Sequence, residues 1–174
     1  MKVVLLDRDG TVIRDPEDER VDTEEKIELF PDSIEALRYL AEHDFSIVLI
    51  SNQAGIAEGR ITEQDFERIN AKVLEMLSPS GINVLKTYVC PHAPEDECEC
   101  RKPKPKMVRE ALKEFNLKPE NVYMVGDRES DIMAGINAGT RTILVKTANV
   151  PVVAEQATYT APNLLDAVKY TVAH

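Results

Sequence analysis

The sequence predicts a single α/β domain built on an open, doubly wound parallel sheet. Three observations carry this reading. Five short apolar runs rich in β-formers alternate with amphipathic helical stretches, the pattern of strand–helix–strand units joined by right-handed crossovers. Each run is continuously apolar rather than alternating, as strands covered on both faces require. At 174 residues the chain is long enough for one domain with a substantial core.

In chain order, the first strand is Val3 to Leu6, and it runs straight into Asp7-Arg8-Asp9-Gly10-Thr11. Residues 14–29 are acidic and fit no element, so they read as a flap inserted behind that strand. A helix follows, capped at Asp32 or Ser33, with Ile34, Leu37, Leu40 and Ala41 on one face. The second strand, Ser46 to Ile50, ends in Ser51-Asn52-Gln53-Ala54-Gly55. In the next helix Phe66, Ile69, Val73 and Leu77 share a face, and Thr62 with Asp65 stand like a variant capping box. The third strand, Val84 to Val89, leads into a polar, proline-rich loop over residues 90–105. A helix through Val108, Leu112 and Phe115 precedes the fourth strand, Val122 to Val125, which opens into Gly126-Asp127-Arg128. The remaining elements are a helix around Ile132 to Ile136, a strand from Thr142 to Val145 and a helix from Leu164 to Val172.

Composition narrows the partners. With 21 basic and 31 acidic side chains the net charge is −10, which argues against nucleic acid or an anionic membrane surface. A hydrophobic content of 43% with 30% charged residues is that of a folded globular chain. No apolar run approaches the ~20 residues of a membrane span. An acidic residue already at position 7 leaves no room for the apolar part of a signal peptide, so the expected location is cytoplasmic.

Ligands of open α/β sheets bind beyond the carboxyl ends of the strands, and the acidic motifs lie there. Asp7, Asp9 and Asp127 are expected to converge on one edge, where like charges need a cation. Hard oxygen ligands favour Mg²⁺. Lys102 and the Ser51 hydroxyl complete a set suited to holding a phosphoryl group. One carboxylate can attack phosphorus, and a second, two residues on, can protonate the leaving alkoxide and activate water.

The three cysteines, Cys90, Cys98 and Cys100, fall within eleven residues and form no disulfide framework. Together with His92 they supply a complete tetrahedral shell for Zn²⁺, with no position left for water, so this zinc is expected to be structural. It would pin Arg101 and Lys102, which follow Cys100 directly.

Four motifs in order, each behind a predicted strand, resemble the haloacid-dehalogenase (HAD) superfamily. Asp7 to Thr11 match its first motif, Ser51-Asn52 the second, Lys102 the third, and Gly126-Asp127-Arg128 with Asp131 the fourth. The resemblance implies a HAD-like, Rossmannoid fold with Asp7 as nucleophile and Asp9 as general acid/base. It implies that Ser51, the Asn52 backbone and Lys102 hold phosphoryl oxygens. Mg²⁺ would be bound by Asp7, Asp127 and the Asp9 carbonyl, with Asp131 supporting Lys102 or the metal's outer coordination sphere. Because the superfamily's dehalogenases lack the second aspartate, Asp9 speaks for phosphate chemistry.

The Cys-Arg-Lys-Pro loop resembles a capless, zinc-loop subgroup that contains histidinol-phosphate phosphatase and D,D-heptose 1,7-bisphosphate phosphatase. The five-residue spacer between His92 and Cys98, Asp15-Pro16 with Val21-Asp22, and Gly126-Asp127-Arg128 are more similar to the former. Ser51 to Ile56 followed by Gly59 is more similar to the latter. The expected substrate is histidinol phosphate, whose cationic amine would be drawn to the acidic flap (Asp15, Glu17, Asp18, Glu19); the heptose bisphosphate is the alternative. Asp15, Asn52, Gln53, Arg101 and Arg128 are the expected substrate-binding residues. The expected partner is a small phosphorylated metabolite, with the chain a monomer or small homo-oligomer. A phospho-receiver domain fits less well, since its accepting aspartate follows the third strand, which here leads into the cysteine loop. A zinc-loop binding module lacks an aromatic platform beside the loop.

Overall fold

A computed structural model describes residues 1–174. Its strands are β1 (Lys2–Leu6), β2 (Phe45–Asn52), β3 (Asn83–Cys90), β4 (Tyr123–Gly126), β5 (Arg141–Val145) and β6 (Tyr159–Ala161). The helices are α1 (Ser33–Glu42), α2 (Ala54–Ala57), α3 (Glu63–Leu77), α4 (Lys106–Glu114), α5 (Glu129–Ala138) and α6 (Leu164–Ala173). All six strands are parallel, in the order β3-β2-β1-β4-β5-β6. The chain fills the sheet on one side of β1 and then returns to fill the other. This makes the carboxyl ends of β1 and β4 the topological switch point.

Alternate residues of each strand face opposite layers. Val4 and Leu6 pack with Leu37, Leu40, Ile69, Val73 and Val168 of α1, α3 and α6. Val3 and Leu5 pack with Val108, Ala111, Leu112 and Ala134 of α4 and α5. Both layers are apolar, which is why the strands read as unbroken hydrophobic runs. Leu6 pairs with Leu49 and with Val125, so the residues just past β1, β2 and β4 emerge along one edge. The Asp7 N–H extends that ladder, donating to Val125 O at 2.9 Å.

Thr62 and Asp65 form the expected capping box: the Asp65 N–H donates to Thr62 Oγ1 at 3.1 Å and the Thr62 N–H to Asp65 Oδ2 at 2.9 Å. At α1 the expected cap does not form. Asp32 Oδ2 instead accepts from the Leu165 N–H at 2.9 Å, tying α6 to α1, and Ser33 Oγ donates to Val12 O at 2.6 Å. Ala36, not Ala41, is the buried alanine of α1. The flap is anchored rather than loose. Val21 and Ile27 enter the core, and Ile13 bridges to both Asp9 and Leu29. No helix is long and apolar enough to cross a membrane.

Candidate active site and metal-binding loop

Asp7 leaves the end of β1, Asp127 follows β4, and Asp131 sits one turn into α5; all three are buried. Their carboxylate oxygens lie within 4.8 Å of one another. A single ammonium enters this cluster. Lys102 Nζ donates to Asp7 Oδ1 at 2.8 Å, to Asp131 Oδ1 at 2.6 Å and to Ile50 O at 2.8 Å. Lys102 is carried there by the loop after β3, whose backbone is clamped by one side chain. Asn52 Oδ1 accepts from the Lys102 N–H at 3.0 Å, and Asn52 Nδ2 donates to Lys102 O at 3.2 Å.

The charges are unbalanced. Burial pushes the Asp7 carboxyl well above its ordinary range; Asp131 and Asp127 add to this, and Lys102 opposes it. Asp127 is pushed up to about 7, chiefly by burial and then by Asp131 and Asp15. At Lys102 burial works against the ammonium, but Asp131 and Asp7 outweigh it and hold the group charged. Asp127 Oδ2 is buried with no hydrogen-bond partner; Arg128 Nε lies 3.9 Å away, and that cation opposes the rise. Gly10, at φ +86°, approaches so closely that a Cβ there would collide with the Asp127 carboxylate. Three converging carboxylates against one ammonium leave net negative charge, and Asp7 with the unpartnered Asp127 oxygen offers hard oxygen donors that fit a divalent cation such as Mg²⁺.

The cluster differs from the sequence expectation in one member. The Asp9 carboxylate does not join Asp7 and Asp127; it turns towards Arg8, Gln53 and Ser51. There it accepts from Arg8 Nε at 2.9 Å, Arg8 Nη2 at 3.1 Å, Gln53 Nε2 at 2.8 Å and Ser51 Oγ at 3.4 Å. Successive residues past a strand point in different directions, and Asp9 follows Asp7 by two on a turning loop. Its place is taken by Asp131, which is brought beside Asp127 by one turn of α5. Asp131 also caps that helix, its Oδ2 accepting from the Arg128 N–H at 3.0 Å. Gly126 permits this approach, because a Cβ there would overlap the Asp131 side chain.

Above the cluster lies a polar cleft lined by Asp9, Asp15, Gln53, Arg101, Lys102 and Arg128. The flap closes one side of it. Arg128 Nη2 pairs with Asp15 Oδ2 at 3.1 Å and with Glu19 Oε1 at 3.0 Å. Burial raises the Asp15 carboxyl, Asp9 adds to the rise, and Arg128 offsets part of it. Arg101 is steadied by His92, its Nη1 donating to the His92 carbonyl at 3.2 Å. Arg20 also reaches the cleft, and sequence reasoning missed it because the flap carries no periodic pattern.

Cys90, His92, Cys98 and Cys100 converge below the Lys102 loop, their ligand atoms within 4.8 Å of one another. Cys90 Sγ lies 3.5 Å from Cys98 Sγ, and Cys100 Sγ lies 3.8 Å from Cys98 Sγ. His92 Nδ1 lies 3.7 Å from Cys90 Sγ and 3.3 Å from Cys100 Sγ. A tetrahedron with metal–sulfur bonds of ~2.3 Å has edges of about 3.5–3.8 Å. The four side chains therefore already outline a tetrahedral metal site.

Comparison with known proteins agrees with this geometry. The HAD-hydrolase-like family model matches residues 99–167. The chain is 38% identical to the D-glycero-β-D-manno-heptose-1,7-bisphosphate 7-phosphatase of Helicobacter pylori, covering 85% of this chain and 84% of that one. It is 37% identical to the histidine biosynthesis bifunctional protein HisB of Campylobacter jejuni, over 80% of this chain; it spans only 40% of that protein's length. A crystal structure of D,D-heptose 1,7-bisphosphate phosphatase from B. bronchiseptica, complexed with magnesium and phosphate, superposes with a TM-score of 0.91 at 30% identity over 99% of both chains.

The fold and the site define a HAD-like hydrolase, and the chain belongs to that family. Within it, the chain falls in the phosphatase branch that includes the heptose-bisphosphate 7-phosphatases.

Proposed function

We propose that the protein is a Mg²⁺-dependent phosphatase that removes the 7-phosphate of a heptose 1,7-bisphosphate through an aspartyl-phosphate on Asp7. The observation that carries the chemistry is the buried Asp7–Lys102–Asp131 array beside the orphaned Asp127 oxygen. In this reading residues 1–174 form one HAD-like domain, with residues 14–29 as flap and 90–105 as the metal-binding loop.

Asp7 attacks phosphorus and the bond to the sugar oxygen breaks. Asp9 gives its proton to the departing alkoxide. A water then loses its proton to Asp9 and attacks the acyl phosphate, which frees Asp7 and releases inorganic phosphate. Lys102 and the Ser51 hydroxyl hold the non-bridging oxygens, and Asp131 keeps the lysine in place. Asp7, Asp127 and the Asp9 carbonyl would hold Mg²⁺, whose charge offsets the repulsion between the phosphate and the carboxylates. Zn²⁺ on Cys90, His92, Cys98 and Cys100 would be structural and would hold Arg101 and Lys102 over the phosphate.

Two observations move the substrate from histidinol phosphate to the heptose bisphosphate. The relatives matched along most of their own length are heptose enzymes; HisB is matched over 40% of its length. Most of the flap's negative charge is already paired, which weakens its pull on a cationic amine; Glu17 alone of the four has no partner. Asp15 and Glu19 are paired with Arg128, and Asp18 with Lys26 and Arg60. Arg101, which has no carboxylate partner, gives the cleft a cationic group suited to a second phosphate.

The test is phosphate release in Mg²⁺ from D-glycero-D-manno-heptose 1,7-bisphosphate beside L-histidinol phosphate. A preference for the bisphosphate of ~100-fold or more in kcat/KM is expected, beyond what loose pocket fit gives. A preference for histidinol phosphate contradicts the assignment.

A further inference from the structure

The residue between the two aspartates has no role in the reaction described so far, yet Arg8 is fully buried. Burying a cation is costly unless its partners are well placed, with an effective penalty of several kcal/mol per ion. Its fork is directed at Asp9. Nε meets Oδ2 at 2.9 Å and Nη2 meets Oδ1 at 3.1 Å, a two-point pair that fixes the plane of the carboxylate.

The other side of the guanidinium is braced from outside the loop. Nη1 donates to Asn70 Oδ1 at 3.2 Å, and Cζ lies 4.9 Å from the centre of the Phe66 ring. Asn70 Nδ2 in turn donates to Thr87 Oγ1 at 3.1 Å. Phe66 and Asn70 belong to α3 and Thr87 to β3, so two regular elements support one side chain. Asp9 itself lies on a loop beside a positive-φ glycine and, apart from Arg8, has only Gln53 and Ser51 as side-chain partners. An acid/base group works only within ~0.5 Å and 10–20° of its productive geometry.

We propose that Arg8 is the positioning residue for Asp9, transmitting the rigidity of α3 and β3 to the carboxylate at the cleft wall. This rests on the reading of Asp9 as the acid/base. It predicts a defect of a particular shape. An alkoxide needs a proton as it leaves and a nitrophenolate does not. Loss of Arg8 therefore lowers kcat/KM, which reports the chain of events up to leaving-group departure, for a sugar phosphate far more than for p-nitrophenyl phosphate. Because water activation also uses Asp9, kcat falls for both.

The experiment compares kcat/KM and kcat on the heptose bisphosphate and on p-nitrophenyl phosphate. Histidinol phosphate, which has the same alkoxide leaving group, replaces the heptose if it is the better substrate. The proteins are wild type, Arg8→Met, Arg8→Lys, Asn70→Ala and Asp9→Asn. For Arg8→Met the sugar-phosphate kcat/KM is expected to fall at least ~10-fold more than the aryl-phosphate value, a fraction of the 10²–10⁴ that a general acid contributes. Arg8→Lys, which keeps the charge and loses the fork, recovers part of it. Equal loss on both substrates in folded Arg8→Met overturns the proposal, as does unchanged kcat/KM. Where Arg8→Met does not fold, Asn70→Ala decides: a smaller loss of the same selectivity supports the proposal, and the wild-type ratio overturns it. Asp9→Asn separates the two claims. Without a selective loss there, the reading of Asp9 fails and takes the proposal with it; with one there and none at Arg8, only the proposal fails.

Discussion

The Lys102 ammonium lies 2.6 Å from the Asp131 carboxylate and 2.8 Å from that of Asp7, both pairs buried. Asp131 thus competes with the proposed nucleophile for the lysine and fixes where its third donor points. It also holds the first turn of α5 through the Arg128 N–H.

Asp131→Asn keeps an oxygen for that cap and loses the charge. Lys102 is then steered by Asp7 and the Ile50 carbonyl, with no second carboxylate. The expected outcome is a fall in kcat of ~10-fold or more from the misplaced ammonium, with a lower Tm because breaking a buried ion pair costs roughly 3–5 kcal/mol of stability. Steady-state kinetics beside a thermal melt check it. Unchanged kcat would remove Asp131 from the account.

Without Mg²⁺ the cluster should make stability depend on pH with a defined sign. Asp127 is raised from 3.8 to about 7 in the folded chain, and Asp7 is raised too. Between those values the folded state binds more protons than the unfolded state, so stability is greatest below the unfolded value and falls as pH rises through about 7. Added Mg²⁺ at pH 7.5 should restore the Tm lost, by binding the ionised carboxylates. Both effects should shrink in Asp127→Asn. A Mg²⁺ shift as large in that variant as in wild type would place the ion elsewhere.

Gly10 holds positive φ directly over the Asp127 carboxylate. Gly10→Ala is expected to destabilise the protein by about 1–3 kcal/mol, the usual cost of a side chain held in such backbone. It should weaken Mg²⁺ activation as well, because the new methyl displaces the carboxylate. Denaturant unfolding and a Mg²⁺ titration of activity measure the two. A variant with wild-type stability and Mg²⁺ response would refute the close approach.

Elemental analysis should find one zinc per chain, lost in Cys100→Ser. Removing it with a chelator and then restoring excess Mg²⁺ should leave activity low, since the Arg101–Lys102 backbone loses its support. Re-addition of Zn²⁺ should recover it. Full activity in zinc-free, Mg²⁺-supplied protein would contradict a structural role for the loop.

How far the sequence was legible depended on what each residue packs against. Strands β1, β2, β4 and β5 announced themselves because both faces are buried; the edge strand β3 is only partly buried and was found from its β-forming residues Val84, Thr87, Tyr88 and Val89. β6 has three residues, with Tyr159 and Thr160 exposed at the sheet edge, and left no pattern. The acidic motifs were found because they follow strand ends, but spacing does not say where a loop side chain turns. So Asp9 was expected among the clustered carboxylates, where Asp131 stands, and Asp131 was expected only in a supporting role. Asn52 was expected to meet the phosphoryl group through its backbone; the clamp its side chain makes on the Lys102 backbone left no signal in the sequence. Arg8 carried no assignment beyond its place in the first motif, because its partners Phe66 and Asn70 are about sixty residues away and only the fold brings them to it.

Covalent chemistry at Asp7 is the step on which the proposed reaction depends, and borohydride trapping during turnover tests it. An acyl phosphate on Asp7 is reduced to the corresponding alcohol, which peptide mass analysis reads at position 7. This product is expected with Mg²⁺ and substrate together, and not with either alone. Phosphate release with position 7 unmodified, or with the trapped group on another residue, would contradict it.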